Sequence, residues 1–411
     1  MIKSLENIKF LSYLIFLLPV SLVSGNLILN INLFLITISF FFLILFKNDF
    51  RKYLKTDWII VCVFFYFFQI FISIYNDFST TSLIRSLGFI KFFILGICLK
   101  IVFLDNKKNF RHFSVILFLV FLFILFDSLI QHFFGQNIFG TVKSDSRLSS
   151  IFSGEYIVGS FLSKISFIIT PVIFLFYKQE KYKFFLVFIW LCFLCFAILL
   201  TGERMASLHF IMGVSLYFIY SSIKNLKNII YIGIFFIVTF TLIIMNDSTS
   251  RRFKEITHEK YGIGKEFKIK DSIWGAHFLT AYEIFKNYPL TGVGSKNFRV
   301  EACKSKYETI DSTRVSQRCT THPHNIVLEI LSEHGIIGFI FLIIIFYLVL
   351  RKYKIAHENN IFFLISFIIY IWPIGTSGSI FTSWNGTFLW INIGIISYLS
   401  NISNKESFKK N

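Results

Sequence analysis

The sequence predicts an all-α polytopic membrane protein with about twelve transmembrane helices and one large exterior loop between helices 9 and 10. Three observations predict it. Of 411 residues, 55% are apolar and 19% aromatic, with 56 Phe, five Pro and a mean hydropathy of +0.68, outside the range of soluble globular chains. Mostly apolar runs of roughly 14 to 21 residues recur along the whole length, and with their flanks each can cross about 30 Å of hydrocarbon. Lysines and arginines crowd into alternate connections.

In chain order the expected spans are 10–23, 27–46, 58–75, 86–104, 113–130, 157–177, 184–200, 205–220, 228–245, 336–350, 361–375 and 384–399. The first follows Lys3 and Lys9 and has the length of a signal peptide, but residues 20–25 make a weak cleavage site, so it is read as an uncleaved anchor. Cytoplasmic loops retain positive charge. One set of connections carries Lys47, Arg51, Lys52 and Lys55; Lys100, Lys107, Lys108 and Arg111; Lys178, Lys181 and Lys183; Lys224 and Lys227; Arg351, Lys352 and Lys354. The opposite short loops hold only Arg85, Lys143, Arg147 and Arg204. Both termini therefore belong to the cytoplasmic side. The expected organisation is spans 1–9 over 1–246, the large exterior loop over 247–323, spans 10–12 over 324–400, and a cytoplasmic tail over 401–411.

The net charge of +18 is mostly this topological signal and does not point to nucleic acid. There is no Walker motif and no zinc-type ligand spacing, so neither ATP hydrolysis nor a metal or other cofactor is expected. Cys303 and Cys319 share the exterior loop, where an oxidising compartment lets them pair. In that loop, 250–270 is charged and expected to form an exposed helix broken at Gly262-Ile-Gly264, and 273–288 has apolar residues at helical spacing. Pro289, Gly292 and Gly294 then mark a turn; such a Gly-x-Gly is more often a tight turn than a phosphate cradle.

The densest chemistry lies in 321–338, where the loop ends and a helix begins. His324, next to the cap candidate Asn325, is expected at a helix N-terminus, whose partial positive charge keeps an imidazole neutral and able to act as a base. The bland alternative is a solvated histidine beside a helix cap. Glu329 and Glu333 are four apart on one face, placed to orient the base or an acceptor. Arg147 and Arg204 are exterior cations at the membrane edge, where a charge usually pairs or binds an anion; Glu155 and Glu203 are their local partners in the structural reading. Arg85 and Lys91 are further candidates, and Lys91 and Lys164 are expected to snorkel or to line an entry groove.

Four pieces together resemble the O-antigen ligase and polymerase (Wzy_C-like) superfamily of bacterial inner membranes: 147–155, 201–206, 288–298, and His324-Asn325 followed after nine residues by Gly335 and Gly338. The resemblance covers most of the chain. It implies a metal-independent glycosyltransferase, without cofactor, whose exterior loop is periplasmic. His324 would be the catalytic base, Arg147 and Arg204 would grip the diphosphate of an undecaprenyl-linked glycan, and Asn325, Glu329, Glu155, Gly335 and Gly338 would support them. The acceptor implied is lipid A-core. Phe339 departs from the small or β-branched residue that ligases often carry there, which bears on ligase against its relatives. Those relatives are the polymerases, which extend a second lipid-linked repeat, and the protein O-oligosaccharyltransferases. A polysaccharide transporter is the alternative of a different class.

Overall fold

A computed structural model describes residues 2–46, 54, 56–75, 80–144, 146–152, 154–176, 180–245, 250, 269–355 and 359–407. Apolar runs become helices because a helix satisfies every backbone group within one segment, as a lipid environment requires. They are α1 (Ile2–Val23), α2 (Asn26–Phe46), α3 (Asp57–Tyr75), α4 (Thr80–Gly88), α5 (Ile90–Asp105), α6 (Lys107–Phe134), α7 (Val158–Phe176), α8 (Glu180–Leu200), α9 (Arg204–Lys224), α10 (Ile229–Met245), α11 (Ile273–Asn287), α12 (Phe298–Glu301), α13 (Ile326–Leu350), α14 (Asn360–Tyr370) and α15 (Ser383–Ser407). Among the described residues there is no strand beyond an isolated Gln136–Val142 bridge.

Every interval expected to span is helical along most of its length, and among the described residues eight helices, against about twelve expected spans, are long and apolar enough to cross a membrane by themselves. Shorter apolar helices run over Ile8–Val23, Val158–Ile173 and Asn360–Tyr370. The shortfall has local causes. The helix expected to reach residue 375 stops at Tyr370, because Pro373 lacks an N–H and disfavours helix in the residue before it. Helix α15 carries Asn385, Asn392, Ser397, Ser400 and Asn401 among its apolar residues. The chain is a multi-pass helical membrane protein.

Helix α5 is buried along most of its length, packed on α15, α2 and α6, while α10 lies at the periphery with only Phe235 and Thr239 buried. At one end of the bundle Arg351 pairs with Asp57 and Lys100 Nζ donates to Thr56 Oγ1 at 3.4 Å. The other end gathers the C-terminal ends of α1 and α14 and the N-terminal ends of α2, α7, α9, α13 and α15 around one cavity. The charged 250–270 segment lies almost wholly outside the described residues, as do the loop cations Lys47, Arg51, Lys52, Lys55 and Lys178.

Helix α13 is broken at Gly335 (φ 62°, ψ −167°), and the break is filled by the Pro289–Gly294 turn. Val293 and Gly294 amides donate to the Ser332 and Glu333 carbonyls at 3.0 and 2.8 Å, and Ile336 and Ile337 amides donate to Pro289 and Leu290 carbonyls at 2.8 and 3.3 Å. The hydrogen bonds that the helix loses at the kink are thus returned by the loop. Glycine is required on both sides: a Cβ at Gly335 would strike the Leu290 carbonyl and one at Gly292 the backbone of Glu333, and both sit at positive φ. Gly335 and Gly338 therefore shape the helix and do not line the cavity.

Candidate active site

Two loops bring the arginine segments together. In α6, buried Asp127 accepts from Ile138 N at 3.0 Å and Ser150 Oγ at 2.5 Å, and Gln131 Oε1 accepts from Ser149 N and Ser150 N at 3.0 and 2.8 Å. These bonds pin the loop before α7. Leu148 N then donates to Thr201 O at 3.2 Å, and Gly202 (φ 71°) lies against the Ser146 carbonyl, so Arg147 and Arg204 come to the same rim. Glu203 caps α7, accepting from Gly159 N at 2.5 Å and Ser160 N at 3.1 Å. Burial raises its carboxyl to about 7 against the pull of those amides, Arg147 and Lys164. Arg147 makes no ion pair with Glu155; its guanidinium lies 5.5 Å from the Tyr156 ring centre, and its Nε has no hydrogen-bond partner among the described residues.

His324, which lines the same cavity, is held in the left-handed region at φ 57°, a conformation that costs a non-glycine residue of order 1–3 kcal/mol and tends to occur at functional sites. Its carbonyl accepts from Ser377 N at 2.7 Å. Its ring lies 4.0 Å from His322, 5.4 Å from His277 and 4.9 Å from Trp274, centre to centre. Asn325, not His324, is the N-cap of α13: its Oδ1 accepts from Leu328 N at 3.1 Å while its Nδ2 donates to Pro373 O at 2.6 Å and Gly375 O at 3.3 Å. The non-helical 371–382 segment is thereby tied to the start of α13.

His324 is neutral, but for a different main reason from the helix terminus the sequence suggests. Burial pushes it down to about 3, helped by His322 and His277 and opposed by Glu329. Burial likewise takes His322 to about 4, with Lys296 next in effect.

The glutamates do not face this site. Glu329 is 1% exposed and pairs at 3.3 Å with Lys296, itself 4% exposed, whose Nζ also bonds Ser379 Oγ. Glu329 Oε2 accepts from Ile380 N at 3.3 Å, and Glu333, fully buried, accepts from Lys296 N at 2.8 Å. Two acids four apart in an apolar helix thus bind the Pro289–Lys296 turn and the 371–382 segment instead of orienting a substrate. Cys303 and Cys319 are joined as a disulfide in the loop, Cα atoms 5.0 Å apart. Gln317 O, two residues before Cys319, is 2.9 Å from His277 Nε2.

The cavity enclosed by these elements has a volume of about 1380 Å³. His324, Arg147, Arg204 and Glu155 line it; Asn325, Glu329, Gly335, Gly338, Cys303 and Cys319 do not. Arg85 is exposed elsewhere, and Lys91 donates to Asn30 Oδ1 at 2.7 Å and Ser383 Oγ at 3.0 Å outside the lining. Sequence reasoning did not assign His209, His322, Glu203 or Trp274 to the site, although all four line it. His209 was visible as a histidine inside an apolar run, a residue that needs a reason in a membrane. The Nε2 atoms of His209 and His322, like Arg147 Nε, find no hydrogen-bond partner among the described residues.

Fold and site together define a polytopic helical membrane protein with a cavity, lined by arginines and histidines, at one end of its bundle. Residues 186–343 match the family model described as O-antigen ligase, a match that supports the O-antigen ligase and polymerase family, a glycosyltransferase-like family, for this chain. No curated protein matches the chain.

Proposed function

We propose that the protein moves a glycan from an undecaprenyl-diphosphate donor to a hydroxyl of lipid A-core, the O-antigen ligase reaction, in the cavity between His324 and the two arginines, on the periplasmic face of the inner membrane. The observation that carries this reading is the lining of one cavity by Arg147, Arg204 and His324, three residues brought together from distant parts of the chain. The acceptor oxygen attacks the anomeric carbon, the bond from that carbon to the diphosphate oxygen breaks, and the acceptor proton passes to the His324 ring. The guanidinium groups of Arg147 and Arg204 hold the departing diphosphate, whose charge they match in pairs of hydrogen bonds.

A histidine held down near 3 is a poor proton acceptor when the cavity is empty. A diphosphate bound on Arg147 and Arg204 places negative charge in the same cavity and raises the basicity of the ring as the donor arrives. The base is then strengthened only when there is a glycan to transfer. The positive φ of His324 and the three-way tie of Asn325 to α13, Pro373 and Gly375 keep the ring where this charge reaches it.

The test is purified protein supplied with undecaprenyl-diphosphate glycan and either lipid A-core or a second lipid-linked repeat, with the product sized. Glycan added to lipid A-core supports the ligase. A ladder of lipid-linked repeats makes the protein a polymerase using the same site, and no transfer to either acceptor rejects the enzyme.

A further inference from the structure

Lys164 lies in an apolar helix, seven residues into α7, with its side chain on the cavity. It forms no ion pair among the described residues. Its Nζ donates to Asn385 Oδ1 at 2.6 Å and stands 4.8 Å from the ring centre of Trp384, 5.4 Å from Tyr370 and 5.5 Å from Phe388. An amide oxygen and aromatic faces orient an ammonium without neutralising it. Glu203, the carboxylate whose field reaches it, is turned to the α7 amides that it caps. A lysine at such a depth without a paired carboxylate holds its charge fully only when an anion reaches it from outside the protein.

The arginines do not make it redundant, because the cations stand at two levels. Arg204 opens α9 and Arg147 lies in the loop before α7, whereas Lys164 is about 9 Å further along α7 than Val158 at 1.5 Å per residue. Three aromatic rings, Trp384, Tyr370 and Phe388, stand around the lower cation beside the Asn385 amide, whereas Arg147 lies in a polar loop and Arg204 follows Glu203. A ligand with a hydrocarbon chain below, phosphate in the middle and sugar above fits that order.

We propose that Lys164, oriented by Asn385, is a subsite for the phosphate nearest the lipid in an isoprenoid phosphate, with Trp384, Tyr370 and Phe388 receiving the first isoprene units. This rests on the donor reading above and adds a division of labour. Lys164 recognises the lipid phosphate, which a monophosphate and a diphosphate share, and Arg147 and Arg204 recognise the phosphate that carries the sugar.

The test is the affinity of purified protein for undecaprenyl monophosphate and undecaprenyl diphosphate. Lys164→Met is expected to lose about tenfold or more for both lipids, Lys164→Arg to stay within a few-fold, and Arg147→Ala to weaken the diphosphate more than the monophosphate. Should Lys164→Met not fold, Lys164→Gln removes the charge and keeps an amide to meet Asn385, with the same loss expected. Wild-type affinity for both lipids in a folded, uncharged Lys164 variant overturns the subsite and leaves the donor reading standing. A wild-type protein that binds neither lipid removes both. A lysine that merely ties α7 to α15 predicts a lower melting temperature with unchanged lipid affinity, which counts against the subsite.

Discussion

The chemistry proposed for His324 depends on a proton balance that can be read directly. Because burial and two neighbouring imidazoles lower it to about 3, the ring stays neutral between pH 5 and 8 in the empty protein. Its ¹⁵N NMR signals, assigned with His324→Ala, should show no titration in that range and should move toward protonation when undecaprenyl diphosphate is added. An ordinary midpoint near 6.5 in the empty protein would remove the reason for a donor-strengthened base. At the arginines, the geometry of the guanidinium matters as well as its charge. Arg147→Lys with Arg204→Lys should therefore weaken the donor by about 1.5–3 kcal/mol per lost charge-assisted pair, measured as lipid affinity, and full function in the double variant would mean that charge alone suffices. That His324, Arg147 and Arg204 line one cavity was foreshadowed in the sequence, because each is a polar residue next to a long apolar run. Glu329 was misread for the opposite reason: a first-turn acid resembles dipole compensation, and its partner Lys296 is 33 residues away.

At the scale of the element, the filled break in α13 decides how the wall behind the site is built. Gly335→Ala must move the Leu290 carbonyl and hold a positive φ, so it should lower the melting temperature by the equivalent of about 1–3 kcal/mol, with Gly292→Ala alike. Lys296→Met leaves Glu329 and Glu333 buried without their cation, a loss of about 3–5 kcal/mol, and a stability unchanged from wild type would show that the pair is dispensable. The pH dependence of stability has two opposed contributions. His322 and His324 are lowered to about 4 and 3, so they contribute stability above about 6.5 that is lost as pH falls toward those values. Glu203 is raised to about 7, so its contribution is present below about 4.5 and lost as pH rises through 7. Thermal unfolding should therefore show an acid-side loss that becomes steeper in Glu203→Gln and shallower in His322→Asn. Helix positions were legible from apolar periodicity, but the kink was not, because Gly335 reads as part of a signature until the turn that fills it is seen. The short α14 was signalled by Pro373, which a count of apolar residues passes over.

Across the whole molecule, the segment between α11 and α13 braces the wall that carries His324. The Cys303–Cys319 disulfide closes the stretch ending beside Gln317, Gln317 meets His277, and His277 stacks on His324. Closing a loop of about 15 residues stabilises by roughly 3 kcal/mol in the chain-entropy model, so reduction should lower both melting temperature and transfer rate, and a rate untouched by reductant would make the brace irrelevant to the site. The fold class and the ends of most helices could be read from composition and period, since a bilayer demands long apolar helices whatever their packing. The convergence of the site could not, because it depends on hydrogen bonds such as Leu148 to Thr201 and Asn325 to Pro373 that link segments far apart in the chain. In the proposed reaction a neutral imidazole takes the acceptor's proton across a diphosphate held by two arginines. Its most direct measurement is single-turnover glycan transfer by His324→Ala protein already saturated with undecaprenyl-diphosphate glycan. The donor should bind as it does to wild type while the rate of transfer falls by about 10²–10⁴-fold, and transfer at the wild-type rate would contradict the account.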